Sequence, residues 1–308
     1  MVVKQKGYLG NVLLKEAGIN IKFTKEQVKE YMKCANDPIY FIEKYIKVVA
    51  LDEGLVPFHL YNFQEDMVNK VHNNRFVIAK LPRQSGKSTT MIAYLLHYIL
   101  FNQNMNVAVL ANKQSVAKDI LSRLQLTYEY LPLWLQQGIV EWNKGSIKLE
   151  NGSKIIASST SSSAIRGGSY NVIFLDEFAH VPTNIAEEFF NSVYPTISAG
   201  QETKVIMVST PNGLNMFYYY WKSATKKPGE EGKNDYIPIE VHWSDVPQYP
   251  GGPLRDEKWK EETIANTNPQ QFQQEFECLG GDTMITVRDK DTQEKFEITM
   301  KEAFDFLC

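Results

Sequence analysis

The chain has 308 residues, 43% hydrophobic and 22% charged, with 33 Lys plus Arg against 36 Asp plus Glu for a formal charge of −3 and a pI of about 6.0. This is globular composition for about two domains at roughly 150 residues each, and it excludes a disordered chain and a strongly basic, histone-like binder while leaving room for a local basic stripe. Cys34, Cys278 and Cys308 are too few and scattered for a disulfide framework, and the sequence has no CxxC or HExxH.

The first 60 residues predict two helices, one over Lys25–Cys34 capped by Thr24 and one over Ile39–Val48 opened by Asp37-Pro38. Phe76-Val77-Ile78-Ala79 reads as a strand, followed by a tight polar turn and a helix over Ser88–Phe101. The apolar run Met91–Phe101 inside that helix is about half of the ~20 residues a membrane span needs. The N-terminus has no signal-peptide apolar region, so a soluble, cytoplasmic chain is expected. Val107–Leu110 is the next strand, with a helix around Ser115–Leu126 after it. Ile147–Leu149 and Lys154–Ala157 flank Asn151-Gly152, a strong hairpin signal. Val172–Leu175 and Lys204–Val208 are apolar runs typical of strands buried on two faces. Val246–Pro253 reads as a connector and Asp256–Phe276 as a polar helical segment. This alternation predicts an α/β fold with a mainly parallel sheet and helices on both faces.

Three strand ends carry chemistry. Leu81-Pro82-Arg83-Gln84-Ser85-Gly86-Lys87-Ser88-Thr89 follows the first strand and matches the end of G-x-x-x-x-G-K-[ST], with Leu81 where the first Gly belongs. In such a turn, backbone N–H groups face phosphates, Gly86 permits close approach, Lys87 supplies charge and the Ser88 hydroxyl can ligate Mg²⁺. Leu175-Asp176-Glu177 ends a buried strand, where Asp176 can hold the Mg²⁺ and Glu177 can polarise an attacking water. Ser209-Thr210, at the end of the next strand, can sense a γ-phosphate. Gln64 reads either as an adenine contact or as part of an ordinary helix start. Arg83 and Arg166 are alternative candidates to stabilise charge on the transferring phosphoryl group.

With these motifs in this order, the chain resembles the ATPase half of a tailed-phage terminase large subunit, from about Asp37-Pro38-Ile39-Tyr40-Phe41 to Gln274-Glu275-Phe276. The missing first Gly is itself a habit of that family. The resemblance implies a P-loop NTPase of the RecA/ASCE type with a small helical lid: an ATPase domain over residues 1–277, its core about 56–245 and its lid from about 1–55 and 246–277. It implies a motor that uses ATP and Mg²⁺ to push double-stranded DNA through a portal protein into a procapsid. The expected partners are a small terminase subunit and further copies in a ring, in the host cytoplasm at the portal vertex. By the same resemblance Gln64, Gln84, Ser85, Gly86, Lys87, Ser88, Thr89 and Asp176 bind nucleotide, and Ser88 and Asp176 hold the metal. Glu177 is then the base, Arg83 a cis arginine finger and Ser209-Thr210 the coupling segment. The family continues into an RNase H-like nuclease, for which the residues after Glu277 are too few.

Those residues, 278–308, open with Cys278-Leu279-Gly280-Gly281-Asp282-Thr283-Met284-Ile285 and resemble the first block of an intein, with Cys278 as splicing nucleophile. Met284–Arg288 and Lys295–Thr299 alternate as hairpin strands, and Met300–Leu307 reads as a short helix. The resemblance implies a split-intein N-fragment whose partner chain carries the intein C-fragment and the nuclease half. A native continuation of the terminase, or a truncated contiguous intein, are the other readings of the tail. The segment holds 4 basic against 7 acidic residues, so the whole formal charge resides there. Two rivals to the motor stay open: a helicase-like nucleic-acid ATPase, and a non-catalytic subunit that only binds nucleotide.

Overall fold

Thr24 begins α1 (Lys25–Asn36) with a reciprocal cap, its hydroxyl accepting from the Gln27 amide at 3.2 Å while the Gln27 side chain accepts from the Thr24 amide at 2.9 Å. The Asp37 carboxylate accepts from the Tyr40 amide at 2.9 Å and starts α2 (Pro38–Tyr45). The computed structural model describes residues 7–50, 53–161, 165, 168–277, 284–288, 293, 295–299 and 302. The helix expected over Ile39–Val48 stops at Tyr45. The β-branched Val48 and Val49 instead sit in β1 (Lys47–Ala50), which pairs antiparallel with β2 (Gly54–Pro57).

After α3 (Asn62–Asn73) the chain alternates through β3 (Phe76–Lys80), α4 (Lys87–Phe101), β4 (Asn106–Ala111), α5 (Gln114–Glu129), β5 (Ile139–Trp142), β6 (Ser146–Leu149), β7 (Lys154–Ser159) and β8 (Val172–Asp176). It continues with α6 (Thr183–Ala199), β9 (Lys204–Ser209), α7 (Met216–Thr225) and β10 (Ile237–Glu240). These build an 8-stranded sheet in the order β10-β3-β9-β8-β4-β7-β6-β5. The strands from β10 to β7 are mutually parallel, whereas β7-β6 is the hairpin expected at Asn151-Gly152 and β5 adds a further antiparallel strand. The mainly parallel α/β sheet predicted above is therefore present.

The central strands alternate between two cores with the period of 2 that a pleated strand imposes. Val77, Ala79, Val107, Val109, Val172, Phe174, Ile206 and Val208 join a cluster with Met91, Leu95 and Leu121 of α4 and α5. Ile78, Ala108, Leu110, Ile173, Leu175, Val205 and Met207 join a second cluster with Phe189, Phe190 and Phe217 of α6 and α7. Each fully buried large side chain contributes about 1.5–3 kcal/mol, so both faces of the sheet need their helices. Lys204 fixes the approach of α3 to the sheet by donating to the carbonyls of Val71, His72 and Asn74 at 2.8–3.0 Å.

The segment expected as one helix over Asp256–Phe276 breaks where Asn268 caps a new turn with Pro269 at its first position. It forms α8 (Glu257–Asn266), α9 (Pro269–Phe272) and a π-helical turn over Gln273–Glu277. Trp259, Phe272 and Phe276 from this segment pack on one another, and Trp259 and Phe272 pack on Trp243. At the other end of the chain, α2 lies against α4 through Phe41, His97 and Phe101. Finally, β11 (Met284–Arg288) and β12 (Lys295–Thr299) pair antiparallel from Met284↔Thr299 to Arg288↔Lys295, the hairpin expected there. No described helix is long and apolar enough to cross a membrane. Cys278, Cys308 and all of the predicted 300–307 helix except Glu302 lie outside the described residues.

Candidate active site

In the sheet β9 lies between β3 and β8, and the register places Lys80 opposite Ser209 and Asp176 opposite Val208. The carboxyl ends of three adjacent strands therefore finish side by side, which is where ligands bind in open α/β sheets. The loop Leu81–Gly86 leaves β3, Asp176-Glu177 leaves β8 and Ser209-Thr210 leaves β9.

The loop turns back on itself through positive φ at Gln84 (60°) and Gly86 (74°) and enters α4 at Lys87. The amides of Lys87, Ser88 and Thr89 lie in the first turn of α4, where a helix gives them no carbonyl partner. Ser85 Oγ is buried without a hydrogen-bond partner. A buried orphan hydroxyl beside a row of free helix-end amides is the cradle a phosphate fills. Gln64 is only 1% exposed, and both ends of its amide are committed, Oε1 accepting from Tyr61 N at 3.0 Å and Nε2 donating to the Ser85 carbonyl at 3.0 Å. Gln64 thus braces the loop with one of its two amide hydrogens and one of its two oxygen lone pairs.

Ser88 Oγ donates to the Asp176 carboxylate, 3.0 and 3.1 Å from its two oxygens. Asp176 is 3% exposed. Burial and then the neighbouring Glu177 charge push its carboxyl up to about 6. Among the described residues no group of three or more His, Cys, Asp or Glu stands ready for a metal. The adjoining hydroxyl and carboxylate still suit Mg²⁺, a hard cation that keeps several waters and takes other ligands from phosphates.

Glu177 sits in left-handed backbone (φ 51°, ψ 43°), an uncommon conformation for a non-glycine residue that turns its side chain back toward the loop. Its Oε1 lies 2.8 Å from Lys87 Nζ. Its Oε2 accepts from Thr210 N at 3.2 Å and from the Thr210 hydroxyl at 3.3 Å, and it lies 3.3 Å from Ser209 Oγ, whose single hydrogen has a nearer acceptor in the Thr210 carbonyl at 2.6 Å. Burial works to raise the Glu177 carboxyl, but Lys87, the Thr210 amide and His180 outweigh it and leave it below the ordinary range. It is therefore an anion at neutral pH. Sequence reasoning misses His180, whose Nε2 is 2.9 Å from Thr210 Oγ1 and 3.7 Å from Glu177 Oε2; its spacing of three from Glu177 is the available signal.

Arg83 stands at the entry to the loop with its amide donating to the Glu275 carbonyl at 2.8 Å and its guanidinium 2.8 Å from Glu275 Oε1. Arg166, the other candidate, lies outside the described residues. Glu275 is invisible to sequence reasoning, because nothing local links it to a loop almost two hundred residues earlier. Lys87, Ser209 and Thr210 thus converge on Glu177, its neighbour Asp176 is bonded to Ser88, and Gln64 is bonded to the Ser85 carbonyl of the loop. Gln84 lies within the same loop and Thr89 in the first turn of α4.

The profile of the family described as "Terminase large subunit, T4likevirus-type, N-terminal" matches residues 78–290, running past Cys278. The fold is similar to that of the ATPase domain of the Thermus phage P74-26 large terminase, at 19% identity and a TM-score of 0.55, over 72% of this chain and 94% of that one. It is similar to the large terminase of bacteriophage HK97 at 17% identity and a TM-score of 0.65, over 82% of this chain and 56% of that one. It is also similar to the large terminase of a thermophilic bacteriophage in complex with ATP-gamma-S, at 13% identity and a TM-score of 0.54, over 76% of this chain and 56% of that one. The chain spans nearly all of the isolated ATPase domain but little over half of the other two proteins.

Proposed function

The chain belongs to the terminase large-subunit family of the T4-like virus type, over its N-terminal domain, and from that membership we propose that it is the ATP-hydrolysing motor that drives double-stranded DNA through a portal into a procapsid. The observation that carries this reading is the meeting of Lys87, Asp176, Glu177 and Thr210 at three adjacent strand ends. Water attacks the γ-phosphorus of ATP, the bond to the β-phosphate bridging oxygen breaks, and ADP and phosphate leave. The loop amides and Lys87 hold the phosphates in line. Ser88 and Asp176 would hold Mg²⁺, which would supply positive charge to offset that of the phosphates. Glu177 takes the proton of the attacking water, and Arg83 stabilises charge on the phosphoryl group once it leaves Glu275.

Through Thr210, loss of the γ-phosphate changes the end of β9 and so the elements packed on it. A portal protein, a small terminase subunit and a ring of copies at the portal vertex are the partners this activity requires. The reading is tested by ATP hydrolysis with the purified chain, with and without double-stranded DNA. An inactive chain that still binds ATP would favour the non-catalytic rival.

We read the residues from Cys278 onward as an intein N-fragment, which the hairpin β11-β12 supports. The Cys278 thiolate attacks the Glu277 carbonyl carbon, the Glu277–Cys278 peptide bond breaks, and its nitrogen takes up a proton to become the Cys278 amine. A partner chain with the complementary fragment and the nuclease half would complete splicing. The family profile, which continues to residue 290, supports the rival view of a native terminase continuation. Mixing the chain with such a partner decides between them. Splicing gives a longer ligated protein that Cys278→Ala abolishes, and equal ligation by that variant sinks the intein reading.

A further inference from the structure

Arg255 is the most deeply buried arginine among the described residues, 3% exposed, and no described carboxylate pairs with it. Its guanidinium lies 4.5 Å over the Trp259 ring and 5.4 Å from the Phe276 ring. Its Nη1 donates to the Arg83 carbonyl at 3.3 Å, and its Nε is buried without a partner. Burial pushes the group down to about 10, which still leaves it charged at neutral pH.

A buried cation without an anion is expensive, and two aromatic faces with one carbonyl recover only part of its lost hydration. The bond it makes goes to the residue that opens the phosphate loop. That residue is gripped at two further points by the Glu275 carbonyl and carboxylate. The segment Arg255–Phe276 therefore holds the loop entry at three points, and one of them is an uncompensated positive charge.

We propose that Arg255 is a positioning residue of the nucleotide site: it fixes the phosphate loop through the Arg83 carbonyl, and its unpaired charge is matched by the phosphates of a bound nucleotide. The inference rests on the nucleotide-binding reading above and adds a cation from outside the sheet to it. The charge acts through the loop, so its effect must grow with the number of phosphates on the ligand. A purely structural arginine would affect every nucleotide alike.

The experiment titrates AMP, ADP and ATP into the full chain and into Arg255→Gln and Arg255→Lys, by calorimetry with Mg²⁺ present, with the unfolding midpoint without nucleotide as a folding control. Arg255→Gln removes the charge and keeps an amide donor. It should weaken ATP about tenfold, ADP less, and AMP within about twofold, a graded loss of about 1.4 kcal/mol at its largest. Arg255→Lys keeps the charge, so its ATP-to-AMP preference should stay within about threefold of the parent. An equal loss for all three nucleotides, or no loss, in folded Arg255→Gln overturns the proposal. Should Arg255→Gln not fold, collapse of the ATP-to-AMP preference in Arg255→Lys overturns it and retention supports it. Failure of the parent itself to bind ATP would sink the nucleotide reading instead, which keeps the two failures distinct.

Discussion

Lys87 Nζ and Glu177 Oε1 are 2.8 Å apart, so the cation proposed to hold phosphate and the carboxylate proposed as the base neutralise each other across the site. A γ-phosphate must therefore compete with Glu177 for Lys87, and binding it frees the carboxylate at the moment a base is needed. Glu177→Gln should bind ATP several-fold more tightly than the parent because that competition is gone. Glu177→Ala should retain ATP binding yet hydrolyse about 10²–10⁴ times more slowly, the range for loss of a positioned base. Fluorescent-nucleotide titration and single-turnover hydrolysis measure the two effects separately. Unchanged turnover would remove Glu177 from the role.

Gly86 combines two constraints in one position. Its φ of 74° is left-handed, and a Cβ there would meet Gln64 Nε2 at 2.5 Å. Gly86→Ala should therefore destabilise the chain by about 1–2 kcal/mol from the backbone alone, with added cost where Gln64 is displaced. Shortening the neighbour in Gly86→Ala/Gln64→Ala relieves the clash but leaves the backbone strain, so the double variant should stay less stable than Gln64→Ala. Equal denaturant midpoints for those two proteins would contradict this account.

The chemistry is legible where it is local. Lys87 and Ser88 follow a strand, a turn and a helix start within a few residues, and Asp176-Glu177 close a run of four buried apolar residues. What stays hidden depends on distant pairing. Arg255 and Glu275 reach Arg83 across more than 170 residues and leave no motif. The strand β10 escapes sequence reasoning because Pro238 argues against a central strand, and the fold resolves this by placing β10 at the sheet edge. Gln64 offers a choice between an adenine contact and a helix start. The sequence alone does not place it beside Ser85, to whose carbonyl its amide donates.

Acid should destabilise the fold through His97. The imidazole is 2% exposed between Phe41 and Phe101, with Nε2 2.9 Å from the Cys34 carbonyl and Nδ1 buried without a partner. Burial depresses it from 6.5 to about 4. The unfolded chain thus takes up the proton first, so the stability tied to neutral His97 is full above pH 6.5 and lost as pH falls through 4. The whole effect is about 3 kcal/mol at most. A His97→Phe variant should show a shallower loss of unfolding free energy between pH 6.5 and pH 4 than the parent, and parallel curves would rule His97 out as the cause.

Thr210 is the point at which the Glu177 carboxylate and the end of β9 meet. Its amide and hydroxyl both donate to Glu177 Oε2, at 3.2 and 3.3 Å, and the hydroxyl also lies 2.9 Å from His180 Nε2. Thr210→Val keeps the amide contact and the side-chain volume but deletes the hydroxyl, leaving His180 and Glu177 to share one fewer bridge. Lys87, Ser85 and Gly86, the groups proposed to bind phosphate, are untouched, so ATP affinity should hold within about twofold while turnover falls about tenfold, as for one lost hydrogen bond of about 1.5 kcal/mol, the low end for a bond to a charged group. Ser209→Ala, which removes a second hydroxyl 3.3 Å from the same oxygen and 2.6 Å from the Thr210 carbonyl, should lower turnover further when combined with it. Because both hydroxyls act on one carboxylate, the double variant should lose less than the product of the two single losses. Full multiplicativity would mean that the two residues act on different groups, and an affinity loss matching the turnover loss would move Thr210 from coupling to nucleotide binding.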